Sequence, residues 1–207
     1  ACEIDGNLIP DLRATLEECR EYCERAGVSF TFDLAHTDFI SMSANSLLPG
    51  PMFDATAETY NAIILNPPYQ KIRSDSDTWR RLQAVGVKTS NLYSTFVWLA
   101  LKQLQPEGEL VAITPRSFTN GPYFRPFRRA LISRARLRRL HVFEARDLAF
   151  EDDGVLQENI ICHVVRSNTP RPVLISSSIG VQDPYLKMRE ASYDEVIQPN
   201  DPEFVIH

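Results

Sequence analysis

An asparagine, two prolines and a tyrosine, Asn66-Pro67-Pro68-Tyr69, close the apolar run Asn61-Ala62-Ile63-Ile64-Leu65. Two consecutive prolines cannot donate to a sheet ladder, so a strand over these residues must end at Asn66. The residue before a proline is pushed into extended geometry, which holds the Asn66 amide and carbonyl out past the strand tip. The result is a rigid, neutral, acceptor-rich corner with the π-face of Tyr69 beside it. Carboxyl ends of strands are where open α/β sheets bind ligands. The chemistry this corner suits is the binding of a flat ligand that carries an amino group.

The rest of the sequence supplies elements to position that corner. Apolar residues Leu8, Leu12, Leu16, Cys19 and Cys23 recur at helical spacing and predict a helix from Asn7 to about Ala26, closed by Gly27, with Asp5 as its N-cap. Ser29–Phe32 is predicted as a short strand and His36–Ile40 as a loop. Residues 41–58, rich in Ser, Pro and Gly, read as a connecting stretch with room for a short helical turn. Residues 70–90 are polar and charged and read as a loop near the strand tip, with Trp79, Lys71 and Arg73 either closing over a substrate or simply solvated. A second helix is predicted over 91–104, then the turn Gln105-Pro106-Glu107-Gly108 and a strand over 109–114. A third helix spans 123–133, and strands follow at 137–143 and 159–165, separated by the acidic turn Glu151-Asp152-Asp153-Gly154. Strands alternating with helices imply a mostly parallel sheet, and the final hairpin makes one strand antiparallel. Residues 172–179 have the composition of one more strand, and beyond them the signals scatter.

Composition narrows the class. The chain has 207 residues, 43% hydrophobic and 24% charged, enough for one substantial core. It contains no apolar run of the length a membrane-spanning helix needs, and its first residues lack the basic, apolar character of a signal peptide. Four cysteines without a Cys-x-x-Cys pair or a nearby His argue for reduced thiols rather than zinc. A net charge of −5 excludes a surface that grips nucleic acid everywhere. Arginines nonetheless cluster between Arg125 and Arg146, as a solvated face or as a local phosphate-binding one.

Taken in order, these motifs resemble the S-adenosylmethionine-dependent N6-adenine DNA methyltransferases. The resemblance rests on Glu3-x-Asp5 ending a strand, Asp38-Phe39 after another, Asn66-Pro67-Pro68-Tyr69, the helix opening Asn91-Leu92-Tyr93-Ser94-Thr95-Phe96, and the strand Gly108–Thr114 with Pro115 after it. It covers about residues 1 to 165. It implies the Rossmann-like class I methyltransferase fold, α/β with a mostly parallel sheet, here without its first strand and Gly-rich loop. The start at Cys2–Asp5 reads like the end of a strand whose earlier residues are absent. Residues 1–166 are thus expected to be a partial catalytic domain, and 167–207 a C-terminal extension or the start of a linker to a recognition domain. The short interval from Asp38 to Asn66 leaves no room for recognition between them, as in the subgroup that places it after the catalytic domain.

The same resemblance assigns roles. Glu3 would accept from the ribose hydroxyls of S-adenosyl-L-methionine, Asp38 from the adenine amine of that cofactor, and Phe39 would pack on its ring. Asn66, Pro67, Pro68 and Tyr69 would bind and orient the target adenine. Hydrogen bonds from its amine to the Asn66 side chain and the Pro67 carbonyl would draw the nitrogen towards tetrahedral geometry, while Tyr69 stacks on the base. Phe150 would hold the base from its other side, or else pack the hairpin. No metal is expected. The partners implied are double-stranded DNA with a flipped adenine and a cognate restriction endonuclease, in the cytoplasm of a prokaryote and away from any membrane. These 207 residues alone are expected to bind cofactor weakly and to methylate nothing. The same corner also occurs in protein-glutamine and RNA guanine methyltransferases, and a non-catalytic methyltransferase-fold interaction module is a further reading.

Overall fold

The computed structural model describes residues 1–48, 59–89, 91–144, 158–180, 183 and 185–207. The first two strands are very short. β1 (Cys2–Glu3) and β2 (Ala35–His36) pair in parallel, Cys2 against Ala35 and Glu3 against His36. The predicted helix between them is present as α1 (Ile9–Arg25), with Pro10 in its first turn. Asp5 does not cap it. The Asp5 carboxylate instead accepts from the backbone and side-chain amides of Asn7 at 2.9 and 3.0 Å, a local turn that leaves Leu8 at the cap position with no side-chain bond. The strand expected over Ser29–Phe32 also shifts. Phe30 and Phe32 stack on one another at 6.3 Å, and the pairing starts only where Ala35 donates to the Ala1 carbonyl and Thr37 to that of Glu3, each at 2.9 Å.

The stretch after Asp38, expected to be a connection, is helical over α2 (Phe39–Leu47). Asp38 caps it by accepting from the Ile40 and Ser41 amides, and Ile40, Ser43 and Ala44 are buried against the next layer. Its serines disguised it. Residues 49–58, the rest of that stretch, lie outside the described residues.

The second sheet has six strands in the order β3-β4-β6-β5-β7-β8. β3 (Tyr60–Leu65) lies at one edge, parallel to β4 (Leu104–Pro115). β6 (Asn159–Val165) runs antiparallel between β4 and β5 (Arg136–Phe143), as the hairpin predicted. β7 (Val173–Ser178) is parallel to β5, and β8 (Lys187–Ala191) closes the far edge antiparallel to it. Residues beyond Arg166 thereby extend this sheet, and a second antiparallel strand emerges from the stretch with scattered signals.

The predicted turn before β4 is built as a bulge within the strand. Tyr60 pairs with Leu104 but Ala62 with Glu109, so the intervening residues loop out, with Glu107 at φ 59°. Gly108 is required where the chain returns. A Cβ there would stand 2.9 Å from the Gln105 carbonyl oxygen and 3.1 Å from that of Asn61.

One face of this sheet carries the core. Leu110, Ala112, Ile160, Cys162, Val164, Leu140 and Val173 are buried, and α4 (Leu92–Gln103) and α5 (Arg125–Arg134) pack nearby in the same apolar cluster. α4 was expected to be apolar on one face. It is buried almost all round, because α2 and α5 flank it while β3 and β4 lie beneath. Its buried Ser94 and Thr95 hydroxyls donate to the Asn91 carbonyl at 3.0 and 2.9 Å, so both hydroxyls are satisfied. Each fully buried leucine of this helix contributes about 1.5–3 kcal/mol. The polar stretch over 70–90 holds a further helix, α3 (Asp77–Ala84), capped by the Ser76 hydroxyl and anchored by the buried Leu82. None of the helices among the described residues is long and apolar enough to cross a membrane.

Candidate active site

The strand tips place the residues singled out by the sequence. Asn66 follows directly on β3, whose ladder to β4 ends at the pair Leu65–Ala112. Its side chain is exposed and has no hydrogen-bond partner among the described residues. Pro67 is buried and fixes the corner, while Pro68 is exposed. The result is an exposed side-chain amide on rigid backbone beside the Pro67 carbonyl, with no charged side chain bonded to either among the described residues.

Tyr69 is half-buried, and its ring stands edge-on to Tyr93 with centroids 6.2 Å apart and planes at 84°. Tyr93, in the first turn of α4, is buried, and its hydroxyl lies 3.3 Å from that of Ser117. Burial holds the Tyr93 phenol above its ordinary range and pushes that of Tyr69 up to about 12. Phe124 packs on Tyr93 at 5.6 Å and Tyr123 on Phe124 at 4.8 Å, and the Asn91 amide donates to the Tyr123 hydroxyl at 3.3 Å. The Leu92 amide donates to the Gln70 carbonyl at 2.8 Å, which fastens the chain beyond Tyr69 to the start of α4. The sequence reading missed this brace, although Asn91-Leu92-Tyr93 was the signal that could have found it.

The Tyr69 hydroxyl is buried without a partner among the described residues. An unpaired buried hydroxyl costs stability. Tyr69→Phe is therefore expected to melt at the same temperature or higher, with stability unchanged or raised by up to about 1 kcal/mol. A clear loss in a thermal melt would reveal a partner for that hydroxyl and overturn this account.

Glu3 and Asp38 sit at neighbouring tips. Glu3 ends β1, and its Oε1 accepts from the Ile4 and Asp5 amides at 2.7 and 2.8 Å, leaving Oε2 without a bond among the described residues. Asp38 follows β2, and both its oxygens are engaged. Oδ1 accepts from the Ile40 amide at 3.1 Å, and Oδ2 from the Ser41 amide and hydroxyl at 3.2 and 2.7 Å. Phe39 packs on Phe96 of α4 at 4.8 Å. β3 is hydrogen-bonded to neither β1 nor β2, so the link from Asp38 towards the Asn66 corner runs through α2 and α4. Phe150 and the acidic turn lie outside the described residues.

Comparison with known proteins bears on the chain as a whole. The sequence profile of the Eco57I restriction-modification methylase family matches residues 17–150. The type II methyltransferase M.PstI of Providencia stuartii is 41% identical over 206 residues, covering 99% of this chain and 40% of that protein. M.BsuBI of Bacillus subtilis, also a type II methyltransferase, is 39% identical over the same length and shares. The chain thus spans 40% of the length of both relatives. Among solved structures, a nuclease-deletion mutant of the Type ISP restriction-modification enzyme LlaGI, in complex with a DNA substrate mimic, superposes with a TM-score of 0.55 at 12% identity, over 92% of this chain and 22% of that one. That last likeness is one of fold.

Proposed function

The chain belongs to the Eco57I restriction-modification methylase family, and we propose that its protein transfers a methyl group from S-adenosyl-L-methionine to N6 of an adenine flipped out of double-stranded DNA. The observation that carries this reading is the exposed Asn66 amide, without a hydrogen-bond partner among the described residues, beside the Pro67 carbonyl on a corner that two prolines hold rigid. The amino group of adenine is a weak nucleophile because its lone pair is delocalised into the ring. Donating one hydrogen to the Asn66 side-chain oxygen and the other to the Pro67 carbonyl draws that nitrogen towards tetrahedral geometry and frees the lone pair. Neutral acceptors also stabilise the positive charge that develops on the nitrogen as the new bond to carbon forms. A proton then leaves the nitrogen for water. No strong base is needed, and positioning supplies much of the rate.

S-adenosyl-L-methionine, when bound, would supply an electron-poor methyl group with its sulfur as the leaving group. The acidic residues at the two short strands suit it. Glu3 has one carboxylate oxygen without a bond among the described residues, available to a pair of hydroxyls. Asp38 is committed to the start of α2, with Oδ2 accepting from both the amide and the hydroxyl of Ser41, yet Oδ1 accepts only once and has a second lone pair to offer an amine. Tyr69, steadied by Tyr93, offers the base a stacking surface worth roughly 1–3 kcal/mol, against the few kcal/mol that flipping costs. Further phosphate contacts and sequence readout must therefore come from beyond this corner, and a cognate endonuclease cuts the same site.

Labelled S-adenosyl-L-methionine, plasmid DNA and the full-length protein decide the matter. Digestion of the DNA to nucleosides should return the label as N6-methyladenine. Label in cytosine, in RNA or in protein with the DNA unlabelled would sink the reading.

A further inference from the structure

The described residues include an open concavity whose charge the methyl-transfer corner does not use. A cavity of about 610 Å³ runs between α4, α5 and the loop before α4, and Lys88, Lys102, Arg125, Arg129 and Arg134 line it beside Trp98. No carboxylate lines it among the described residues. Arg125 is the exception to its isolation, with Nε 3.4 Å from the Glu203 carboxylate and bonded to the Pro202 carbonyl at 2.9 Å. The other four cations have no ion-pair partner among the described residues. Burial and the nearby Arg134 hold Lys102 below the ordinary lysine range, as expected where positive charges crowd without a counter-charge. All this sits in a chain of net charge −5.

Spacing gives the concavity a direction. Arg125 and Arg129 are i,i+4 on α5, and Arg134 lies at its last turn, so the cations form a row roughly 15 Å long rather than a single point. A second cavity, of about 510 Å³, shares Ser133 and Arg134 and reaches Arg166, with Glu107 also in its lining, so the purely cationic stretch ends at Arg134. At its other end Arg125 follows directly on Phe124, which packs on Tyr93, and Tyr93 braces Tyr69. The row thus leads away from the candidate active site along one side of the molecule.

We propose that this groove seats the phosphate backbone of the DNA arm that flanks the target base. The inference rests on the reading of DNA as the substrate. Guanidinium groups match phosphate oxygens with paired donors. A row of five cations, four of them without an ion-pair partner among the described residues, suits a linear polyanion better than a small anion, and its continuity with the Tyr69 corner points to the strand being modified.

The test uses the full-length protein, its Arg129→Ala/Arg134→Ala variant and its Arg129→Lys/Arg134→Lys variant, with fluorescence anisotropy of duplex DNA over a series of salt concentrations. Losing two phosphate contacts should make the slope of log K against log salt shallower by about 1.8 and weaken specific and non-specific duplexes alike, on the order of tenfold. The lysine variant should recover most of the slope. An alanine variant with the wild-type slope and affinity overturns the proposal, as does one that loses binding to polyglutamate while holding DNA normally, since the groove would then take an acidic peptide. If wild type methylates adenine but the slope is unchanged, this inference fails and the functional reading stands. If wild type neither binds nor methylates DNA, both fall.

Discussion

Asn66→Ala in the full-length protein should abolish turnover, with a loss on the order of 10³-fold or more, while S-adenosyl-L-methionine binding changes less than about threefold. The two halves of that expectation have separate sources. Asn66 is exposed and bonds to nothing among the described residues, so shortening it removes no structural contact and should leave the melting temperature in place. In the proposed step its oxygen is one of only two acceptors that reshape the adenine amine. Removing a single positioned partner of a developing charge typically costs 10²–10³-fold, and misorientation of the nitrogen adds to it. Asn66→Asp keeps an acceptor at the same place and should retain part of the activity that alanine loses. Single-turnover methylation and titration calorimetry with the cofactor read the two halves independently. Weakened cofactor binding with turnover retained would assign Asn66 to the wrong ligand.

What could be read from the sequence was what local rules decide. The end of β3 is fixed by Pro67 and Pro68 themselves, β6 was bounded at Asn159 and Val165, and α4 follows a strong apolar period. What could not be read depends on partners far along the chain. α2 and α3 lie in polar stretches that composition assigns to loops. They are helices because Asp38 and Ser76 cap them and because Ile40, Ala44 and Leu82 find a surface on which to be buried. Gln105–Gly108 has turn residues and does make a turn, but as a bulge, since β3 continues to pair on both sides of it. The corner itself was legible because prolines and an asparagine act where they stand. Its brace was not, because Tyr93 and Phe124 look like ordinary core residues until the fold sets them against Tyr69.

The arginine cluster shows the same limit and supports the second large prediction. Arg128 was counted among residues that face solvent or phosphate, yet it is fully buried. Its Nη1 donates to the carbonyls of Phe118 and Asn120 at 3.1 and 2.8 Å, and its Nε and Nη2 to that of Glu203 at 3.0 and 2.6 Å. One guanidinium therefore ties α5 to the turn after β4 and to the chain near its C-terminal end, where Ile206 also donates to the Thr119 carbonyl at 2.8 Å. Arg128→Ala leaves three carbonyls unpaired and a void in the interior. We expect it to cost about 3–5 kcal/mol, since breaking a buried charged network by removing one member costs that much. In a chain of this size the corresponding fall in melting temperature is roughly 10 °C. Arg128→Lys keeps the charge but not the fork of donors, and should recover less than half of the loss. The consequence should reach the corner, because Ser117, at the start of the turn that Arg128 holds, meets the Tyr93 hydroxyl that steadies Tyr69. Thermal melts and limited proteolysis near residues 198–203 measure both parts. An Arg128→Ala protein that melts within 2 °C of wild type, about 1 kcal/mol or less, with its C-terminal end equally resistant to protease, would mean that these carbonyls find water at no cost and that the tie is incidental.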